Sequence, residues 1–325
     1  MNLDNTKTIE DYLQQAKQAE KANQPQEALD AYNRIIEIDP GNLDARQALG
    51  NHFFVQKNYD LALEAYISAV KIDPKVAFLH FQLGRVAERQ NRLDDAAASY
   101  GYAIHLDPED FRIYRALGGL QFSQRQFSWA KETYQKSIEL GDRAPFVHFR
   151  LGRIAQLQDQ HDEAIAQFQT AIALNEQNPT FYIACADSYA KQGQPESAIA
   201  ACEKAIALAP NDFRPYQKLG EAAFSLGDLT TAKGNYEKAI ELGSNAPWVR
   251  FRLGRIANKQ KATEDAAAWY EKAIALNDRN PQFHYHLGNI RTQQSDIERA
   301  RASYEKAIAL NPNHENAQRS LQALA

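Results

Sequence analysis

A phrase of eleven residues recurs along this chain at a fixed spacing. Residues 145–155 read PFVHFRLGRIA, residues 247–257 read PWVRFRLGRIA, and residues 77–87 carry the looser copy AFLHFQLGRVA. The first two copies lie 102 residues apart, which is three times 34. A fixed period of this length is typical of stacked repeats, in which each unit packs mainly against its neighbours. The sequence therefore predicts a linear array of repeats.

Aligning the Leu-Gly pairs divides the chain into nine consecutive units of 34 residues. Position 20 of the repeat is alanine in every unit, and position 24 is aromatic in every unit but the sixth, where it is Cys202. Leu-Gly stands at positions 7 and 8 in seven units. The units begin at Ile9, Leu43, Ala77, Phe111, Pro145, Pro179, Phe213, Pro247 and Pro281.

Small and apolar residues recur within each unit at helical spacing. They occupy positions 4, 7, 8 and 11, and then positions 20, 24 and 27, in steps that indicate two amphipathic helices. Glycine at position 8 and alanine at position 20 would let the two helices approach closely, and the aromatic ring would fill the space beside them. The pattern predicts an all-α fold.

This pattern resembles the tetratricopeptide repeat family over residues 9–314. The resemblance implies a right-handed superhelical α-solenoid of about nine helix-turn-helix repeats, whose first helices line a concave surface. Residues 1–8 are predicted to be an N-terminal tail. Residues 315–325 are predicted to form a C-terminal capping helix, because Leu321 falls at position 7 of an incomplete tenth unit.

Composition argues against several classes of protein. Lys and Arg number 37 against 41 Asp and Glu, so wholesale nucleic-acid binding is not favoured. No signal peptide or long apolar run appears, and we expect a cytoplasmic protein that does not bind membranes. The two cysteines, Cys185 and Cys202, are interpreted as buried, unreactive thiols.

No catalytic or phosphate-binding motif is present, and no pair of cysteines has metal-site spacing. His80, His148 and His284 share position 4 of their repeats and are interpreted as packing residues. The sequence therefore predicts a non-enzymatic protein without cofactor or metal.

Charge is unevenly distributed. In the resembled family, ligands usually contact positions 2, 5, 6, 9, 12 and 13 of the first helices. From the third repeat on, those positions hold twelve basic and three acidic residues, a balance of +9 in a protein of formal charge −4. We call these twelve basic residues the basic stripe: Arg85, Arg89, Arg112, Arg115, Arg150, Arg153, Lys191, Arg214, Lys218, Arg252, Arg255 and Lys259. The acidic residues are Glu88, Asp187 and Glu221.

Aromatic residues share these positions, and together with the stripe they predict a ligand-binding groove. Rings at position 2 are expected to meet the ligand, whereas rings at position 5 could equally pack between neighbouring first helices. Arg153 and Arg255 are expected to point into solvent. The predicted groove residues are Arg85, Arg112, Arg115, Phe146, Phe149, Arg150, Arg153, Arg214, Lys218, Trp248, Phe251, Arg252 and Arg255.

The predicted function is that of a protein-interaction scaffold whose groove holds an extended, acidic peptide segment of a partner protein. Guanidinium groups beside aromatic rings suit carboxylates. Two alternatives remain open at this stage. The chain could be the targeting or substrate-recruiting arm of a larger enzyme, such as a glycosyl- or methyltransferase, or it could bind single-stranded RNA by stacking bases on its rings. The net negative charge counts against RNA.

Overall fold

The structure is a computed structural model that describes residues 8–324. This part of the chain is helical throughout, without β-strands, and none of its helices is long and apolar enough to cross a membrane. The tail predicted at residues 1–8 lies outside the described residues except for Thr8, which caps the first helix. The helices are α1 (Ile9–Lys21), α2 (Pro25–Ile38), α3 (Leu43–Val55), α4 (Tyr59–Ile72), α5 (Ala77–Arg89), α6 (Leu93–Leu106), α7 (Phe111–Ser123), α8 (Phe127–Glu139), α9 (Pro145–Leu157), α10 (His161–Leu174), α11 (Pro179–Lys191), α12 (Pro195–Leu208), α13 (Phe213–Leu226), α14 (Leu229–Glu241), α15 (Pro247–Lys259), α16 (Thr263–Leu276), α17 (Pro281–Gln293), α18 (Ile297–Leu310) and α19 (Glu315–Gln322).

The helices form hairpins in the predicted register. Each odd-numbered helix from α1 to α17 begins at the first residue of a predicted repeat, and the following even-numbered helix completes the pair. The predicted all-α solenoid of helix-turn-helix repeats is confirmed. The helix α19 follows the ninth hairpin and buries Ala317 against Ala300, Tyr304 and Ala307 of α18.

The described residues divide into two compact units, one ending at Val147 and the other beginning at His148. In the first unit, α1 to α8 form four hairpins, and the second helix of one hairpin packs on the first helix of the next. In the second unit, the same alternation runs from α10 to α19. Hairpins therefore bury their apolar faces against adjacent hairpins, as expected for a repeat array.

A glycine–aromatic contact holds the two helices of a repeat together. In seven repeats, a Cβ atom added to the glycine at position 8 would lie only 2.5–2.8 Å from the ring at position 24. The sixth repeat departs from this pattern at both positions, with Ala186 in place of glycine and Cys202 in place of the ring. Both side chains are buried in one cluster, so the smaller thiol gives room for the extra methyl group.

The turn between the two helices of each repeat uses a left-handed residue at position 15. Glycine occupies this position in the sixth and seventh repeats, with φ of 71° at Gly193 and 82° at Gly227. The other seven repeats place side-chain-bearing residues there, with φ between 56° and 62°: Asn23, Lys57, Asn91, Arg125, Asp159, Lys261 and Ser295. Left-handed backbone is unfavourable for residues with a Cβ atom, so these turns are held by the helices they connect.

Substitutions at position 15 should therefore act through backbone conformation. Gly227 has open space around a hypothetical Cβ atom, so we expect Gly227→Ala to lower the free energy of unfolding by about 1 kcal/mol through its φ angle alone. Lys261 is exposed at φ 61°, and Lys261→Gly should raise that free energy by about 0.5 kcal/mol. Urea unfolding of both variants tests the pair. Destabilisation by both substitutions would contradict the backbone explanation.

Both cysteines are buried, as predicted. Burial raises the pKa of the Cys185 thiol to about 11 and that of the Cys202 thiol to about 12. The reactive thiolate is therefore scarce at neutral pH. We expect neither thiol to react with Ellman's reagent in the native protein at pH 8. Both should react once the protein is unfolded in about 6 M guanidinium chloride. Rapid labelling of the native protein would contradict this expectation.

Candidate functional site

Each compact unit carries an open groove formed by consecutive first helices. The first-unit groove has a volume of about 570 Å³ and the second-unit groove about 580 Å³. The first-unit groove is lined by Phe78, Phe81, Arg85, Glu88, Tyr100, Arg112, Arg115, Ala116, Gly119 and Phe146. The second-unit groove is lined by Asp187, Ala190, Lys191, Lys218, Glu221, Trp248, Phe251, Arg252, Asn280, Gln282 and Phe283.

Arg85 lies across an aromatic ring in the first unit. Its guanidinium carbon is 4.3 Å from the centroid of Phe54 and 5.8 Å from that of Phe81. One guanidinium nitrogen donates to Gln82 Oε1 over 2.9 Å. No carboxylate pairs with Arg85 among residues 8–324, so its charge is available to a ligand at the groove.

Arg112 and Arg115 also line the first-unit groove, but each has a carboxylate partner. Arg112 donates through Nε and Nη2 to Asp110, the residue that caps its own helix, with Nη2 2.7 Å from Oδ2. These hydrogen bonds hold the pKa of Asp110 below its ordinary value. Arg115 donates over 3.2 Å to Asp142, which is buried in the loop after α8. Their charges are therefore largely compensated within the protein.

Two ion pairs compensate charge in the second-unit groove as well. Lys218 pairs with Asp187, and Arg252 pairs with Glu221. Arg252 Nε lies 3.0 Å from Glu221 Oε2, and the same oxygen accepts from the Tyr236 hydroxyl over 2.8 Å. Glu221 is thus fixed by two donors from different helices.

A single ring in the second unit is surrounded by cations. Three basic groups lie close to the centroid of Phe224: Arg252 at 4.8 Å, Arg255 at 5.1 Å and Lys259 at 5.3 Å. Cations near an aromatic face are stabilised by its negative potential. Arg255 has no hydrogen bond or ion pair with the other described residues. It is half-buried against Phe224, so the expectation that it points into solvent is wrong.

The remaining predicted arginines lie outside the linings of these two grooves. Arg153 is half-buried and donates to Gln156 Oε1 over 3.0 Å, so it does not point freely into solvent either. Arg214 pairs with Asp212, the residue that caps its own helix, as Arg112 pairs with Asp110 in the fourth repeat. Its Nη2 lies 2.6 Å from Asp212 Oδ2. Arg150 is half-buried.

The predicted aromatic residues divide by repeat position. At position 2, Phe146 is 41% exposed and Trp248 is 37% exposed, and each lines the groove of its own unit. At position 5, Phe149 packs between Phe168 and Phe181, with ring centroids 5.7 and 5.2 Å apart. Phe149 therefore packs between neighbouring helices and lies outside the linings of both grooves.

Phe251 combines both roles. It packs on Tyr270 and Phe283, with ring centroids 5.5 and 5.0 Å apart, and it also lines the second-unit groove.

Counting charges in the sequence overestimated the positive character of this surface. Arg112, Arg115, Arg214, Lys218 and Arg252 of the basic stripe pair with carboxylates. Three of those carboxylates, Asp110, Asp142 and Asp212, lie outside the six repeat positions of the predicted surface. Including them lowers the balance from +9 to +6. The stripe members that form no ion pair among the described residues lie at positions 9 and 13: Arg85, Arg153 and Arg255 at position 9, and Arg89, Lys191 and Lys259 at position 13.

The position-4 histidines have structural contacts, as predicted. The ring of His80 lies 2.8 Å from the carbonyl of Pro74, and that of His284 lies 2.9 Å from the carbonyl of Asp278, in each case six residues earlier. His148 contacts Gln167 instead. Within the part of the chain that the structure describes, no three His, Cys, Asp or Glu side chains are placed to hold a metal.

Comparison with known proteins agrees with this architecture. Models described as tetratricopeptide repeat match residues 13–77, 81–146 and 218–282, residues 155–222, and residues 281–314. No curated protein matched the chain.

Solved structures share the fold at low sequence identity. A chain of the APC/C hetero-tetramer Cut9–Hcn1 is 18% identical with a TM-score of 0.56, covering 92% of this chain, which spans only 59% of that one. The C-terminal part of a repeat protein from Cytophaga hutchinsonii is 19% identical with a TM-score of 0.62, covering 74% of this chain and 99% of its own. YrrB, described as a protein with an unusual peptide-binding site, is 19% identical with a TM-score of 0.54. The match covers 62% of this chain and 100% of the YrrB chain. The matched repeat models and the shared hairpin register together show that this chain belongs to the tetratricopeptide repeat family.

Proposed function

We propose that this protein is an interaction scaffold that holds extended, acidic segments of a partner protein against its first helices. Its repeats and its structural relatives support the scaffold role. The chemistry of the segment rests on the position-9 arginines. Arg85 and Arg255 each combine an uncompensated charge with an aromatic face, an arrangement that suits a carboxylate lying beside apolar atoms.

The half-exposed rings add the second element of recognition. Phe146 and Trp248 stand at the rims of the first-unit and second-unit grooves, where they can cover the apolar part of a bound chain. Aromatic residues with arginine are enriched where proteins contact one another. YrrB, which has the same fold, is described as having a peptide-binding site, and this supports a peptide as the ligand class.

Fluorescence anisotropy with matched probes tests the proposal. We would titrate the protein into a labelled peptide that alternates glutamate and alanine, into the same peptide with glutamine for glutamate, and into labelled oligo-uridine. We expect the glutamate peptide to bind most tightly and to lose affinity with salt, because exposed ionic contacts are screened. Trp248→Ala should weaken binding with little change in the salt dependence. Tighter binding of oligo-uridine would favour the RNA alternative, and equal binding of both peptides would contradict an acidic ligand.

A further inference from the structure

In the second and seventh repeats, a hydrogen-bond acceptor at position 9 joins one repeat to the next. In the second repeat, Asn51 Oδ1 accepts from the Tyr66 hydroxyl over 2.7 Å and from Gln82 Nε2 over 2.9 Å. Tyr66 is at position 24 of the same repeat, and Gln82 is at position 6 of the next.

Glu221 serves in the same way in the seventh repeat. It accepts from Tyr236 of its own repeat and from Arg252 of the next. One acceptor at position 9 thus satisfies two donors that converge on it.

The junction between the eighth and ninth repeats lacks this acceptor. Position 9 is Arg255, position 24 is Tyr270, and position 6 of the next repeat is His286. The Tyr270 ring is fully buried, and its hydroxyl has no hydrogen-bond partner among the described residues. A buried hydroxyl without an acceptor is costly, because its bonds to water are lost on folding and are not replaced.

Arg255, a cation, is the charged group that acts on the Tyr270 hydroxyl, and His286, whose neutral ring carries one donor and one acceptor nitrogen, lies beside it. The His286 ring lies 5.8 Å from the Tyr270 ring, between centroids, and has no hydrogen bond within residues 8–324. Burial, the positive charge of Arg255 and the neighbouring His314 lower the pKa of His286 to about 4. Three polar groups therefore meet at a position where the preceding junction has a carboxylate.

We propose that an acidic side chain of the bound segment supplies this missing carboxylate, accepting hydrogen bonds from Arg255 and Tyr270. The inference rests on the proposed function and names one contact within it. Glu221, the counterpart of Arg255 one repeat earlier, lines the second-unit groove, so position 9 faces the surface on which we place the ligand. Arg255 and His286 are half-buried and hold no hydrogen bond among the described residues, so either side chain can turn aside without breaking one. The proposed contact requires that their rotation exposes the Tyr270 hydroxyl to the ligand.

Two tyrosine-to-phenylalanine variants separate this contact from a purely structural role. The probe is the labelled glutamate–alanine peptide with an acetylated N-terminus and an amidated C-terminus, so that side chains carry its only carboxylates. Tyr270→Phe should weaken binding of this peptide about tenfold, because it removes a hydrogen bond to a charged group. It should not lower the urea midpoint, since the free protein loses only an unpartnered hydroxyl.

Tyr236→Phe is the matched control. Its hydroxyl already donates to Glu221, so the variant should lower the urea midpoint and leave affinity within about twofold, since no ligand contact is lost.

Arg255→Glu provides an internal replacement for the proposed ligand group. It places a carboxylate at the position that Glu221 occupies one repeat earlier. In this background, Tyr270→Phe should lower the urea midpoint and should no longer change affinity. The pKa of His286, followed by NMR, should also rise, because a neighbouring carboxylate favours the imidazolium form.

The outcomes distinguish this contact from the wider function. If the wild-type protein prefers the glutamate peptide but Tyr270→Phe binds it equally well, the subsite is wrong and the acidic ligand stands. If only a peptide with a free C-terminus responds to Tyr270→Phe, the group is a terminal carboxylate, and the proposed side-chain contact is overturned. If the glutamate peptide is not preferred at all, the proposed function and this inference both fail.

Discussion

Gly220→Leu is expected to lower the stability of the seventh repeat by about 3 kcal/mol or more. A Cβ atom at this position would lie 2.8 Å from two carbons of the Tyr236 ring. That ring is fully buried and is held by its hydrogen bond to Glu221, so it cannot move aside freely. The helices α13 and α14 must separate instead. Hydrogen exchange in these two helices should accelerate roughly a hundredfold, following the loss of free energy.

Gly234→Leu is the control for this experiment. Gly234 lies on the exposed face of α14 with open space around a hypothetical Cβ atom. Leucine favours helix more than glycine does, so this variant should gain about 0.5–1 kcal/mol. The effects of Gly220→Leu should also remain confined to the seventh repeat and its neighbours at first, since repeats couple mainly to adjacent repeats. Equal effects of the two variants would contradict the glycine–ring contact as the determinant of repeat packing.

The helical hairpins could be predicted because the same pairing of two helices recurs in all nine repeats. The alanine at position 20 is buried in every repeat, and its invariance marked the contact between helices. The left-handed turn at position 15 was visible only where it is glycine. Residues such as Lys57 and Arg125 adopt the same conformation without any local preference for it. At those residues the packing of the flanking helices imposes the left-handed conformation, and the residue type does not reveal it.

The candidate site was predicted less completely because charge pairing depends on three-dimensional neighbours. The sequence located Arg252, but its partner Glu221 lies 31 residues earlier, on the preceding first helix. This separation is the difference between position 9 of one repeat and position 6 of the next. A search for charge pairs at that spacing would also have found Asp187 with Lys218. The ring beneath Arg85 was missed because Phe54 belongs to the second repeat, ahead of the residues that were counted.

The bidentate pairs at two helix starts have a local signal in the sequence. Asp-Phe-Arg occurs at residues 110–112 and again at 212–214. In both places the aspartate caps the helix and also holds the arginine two residues later. The arginine in this sequence is therefore paired locally, whereas an arginine at position 9 has no such neighbour. Counting both kinds equally gave too large a positive charge.

This distinction predicts which arginines govern ligand binding. Neutralising Arg85 and Arg255 together, as Arg85→Gln and Arg255→Gln, should weaken binding of the glutamate peptide at least tenfold, since one hydrogen bond between charged groups contributes about 1.5–3 kcal/mol. One substituted residue lies in each compact unit, so the result does not depend on which unit binds the peptide. The dependence of affinity on salt should also become shallower, because fewer exposed charges are screened.

Arg112→Gln with Arg214→Gln is the comparison, since it removes the same number of charges from the same two units. These arginines are already paired with Asp110 and Asp212. Neutralising each of them leaves an uncompensated aspartate. Its repulsion of the acidic peptide is weak and screened, so affinity should fall by no more than about threefold. Circular dichroism should show unchanged helicity in both double variants. Equal losses in the two would mean that total charge on the surface sets affinity. If the double variant at Arg85 and Arg255 kept its full affinity for the glutamate peptide, the position-9 arginines would be solvated side chains without a ligand. The partner would then be held elsewhere on the repeats.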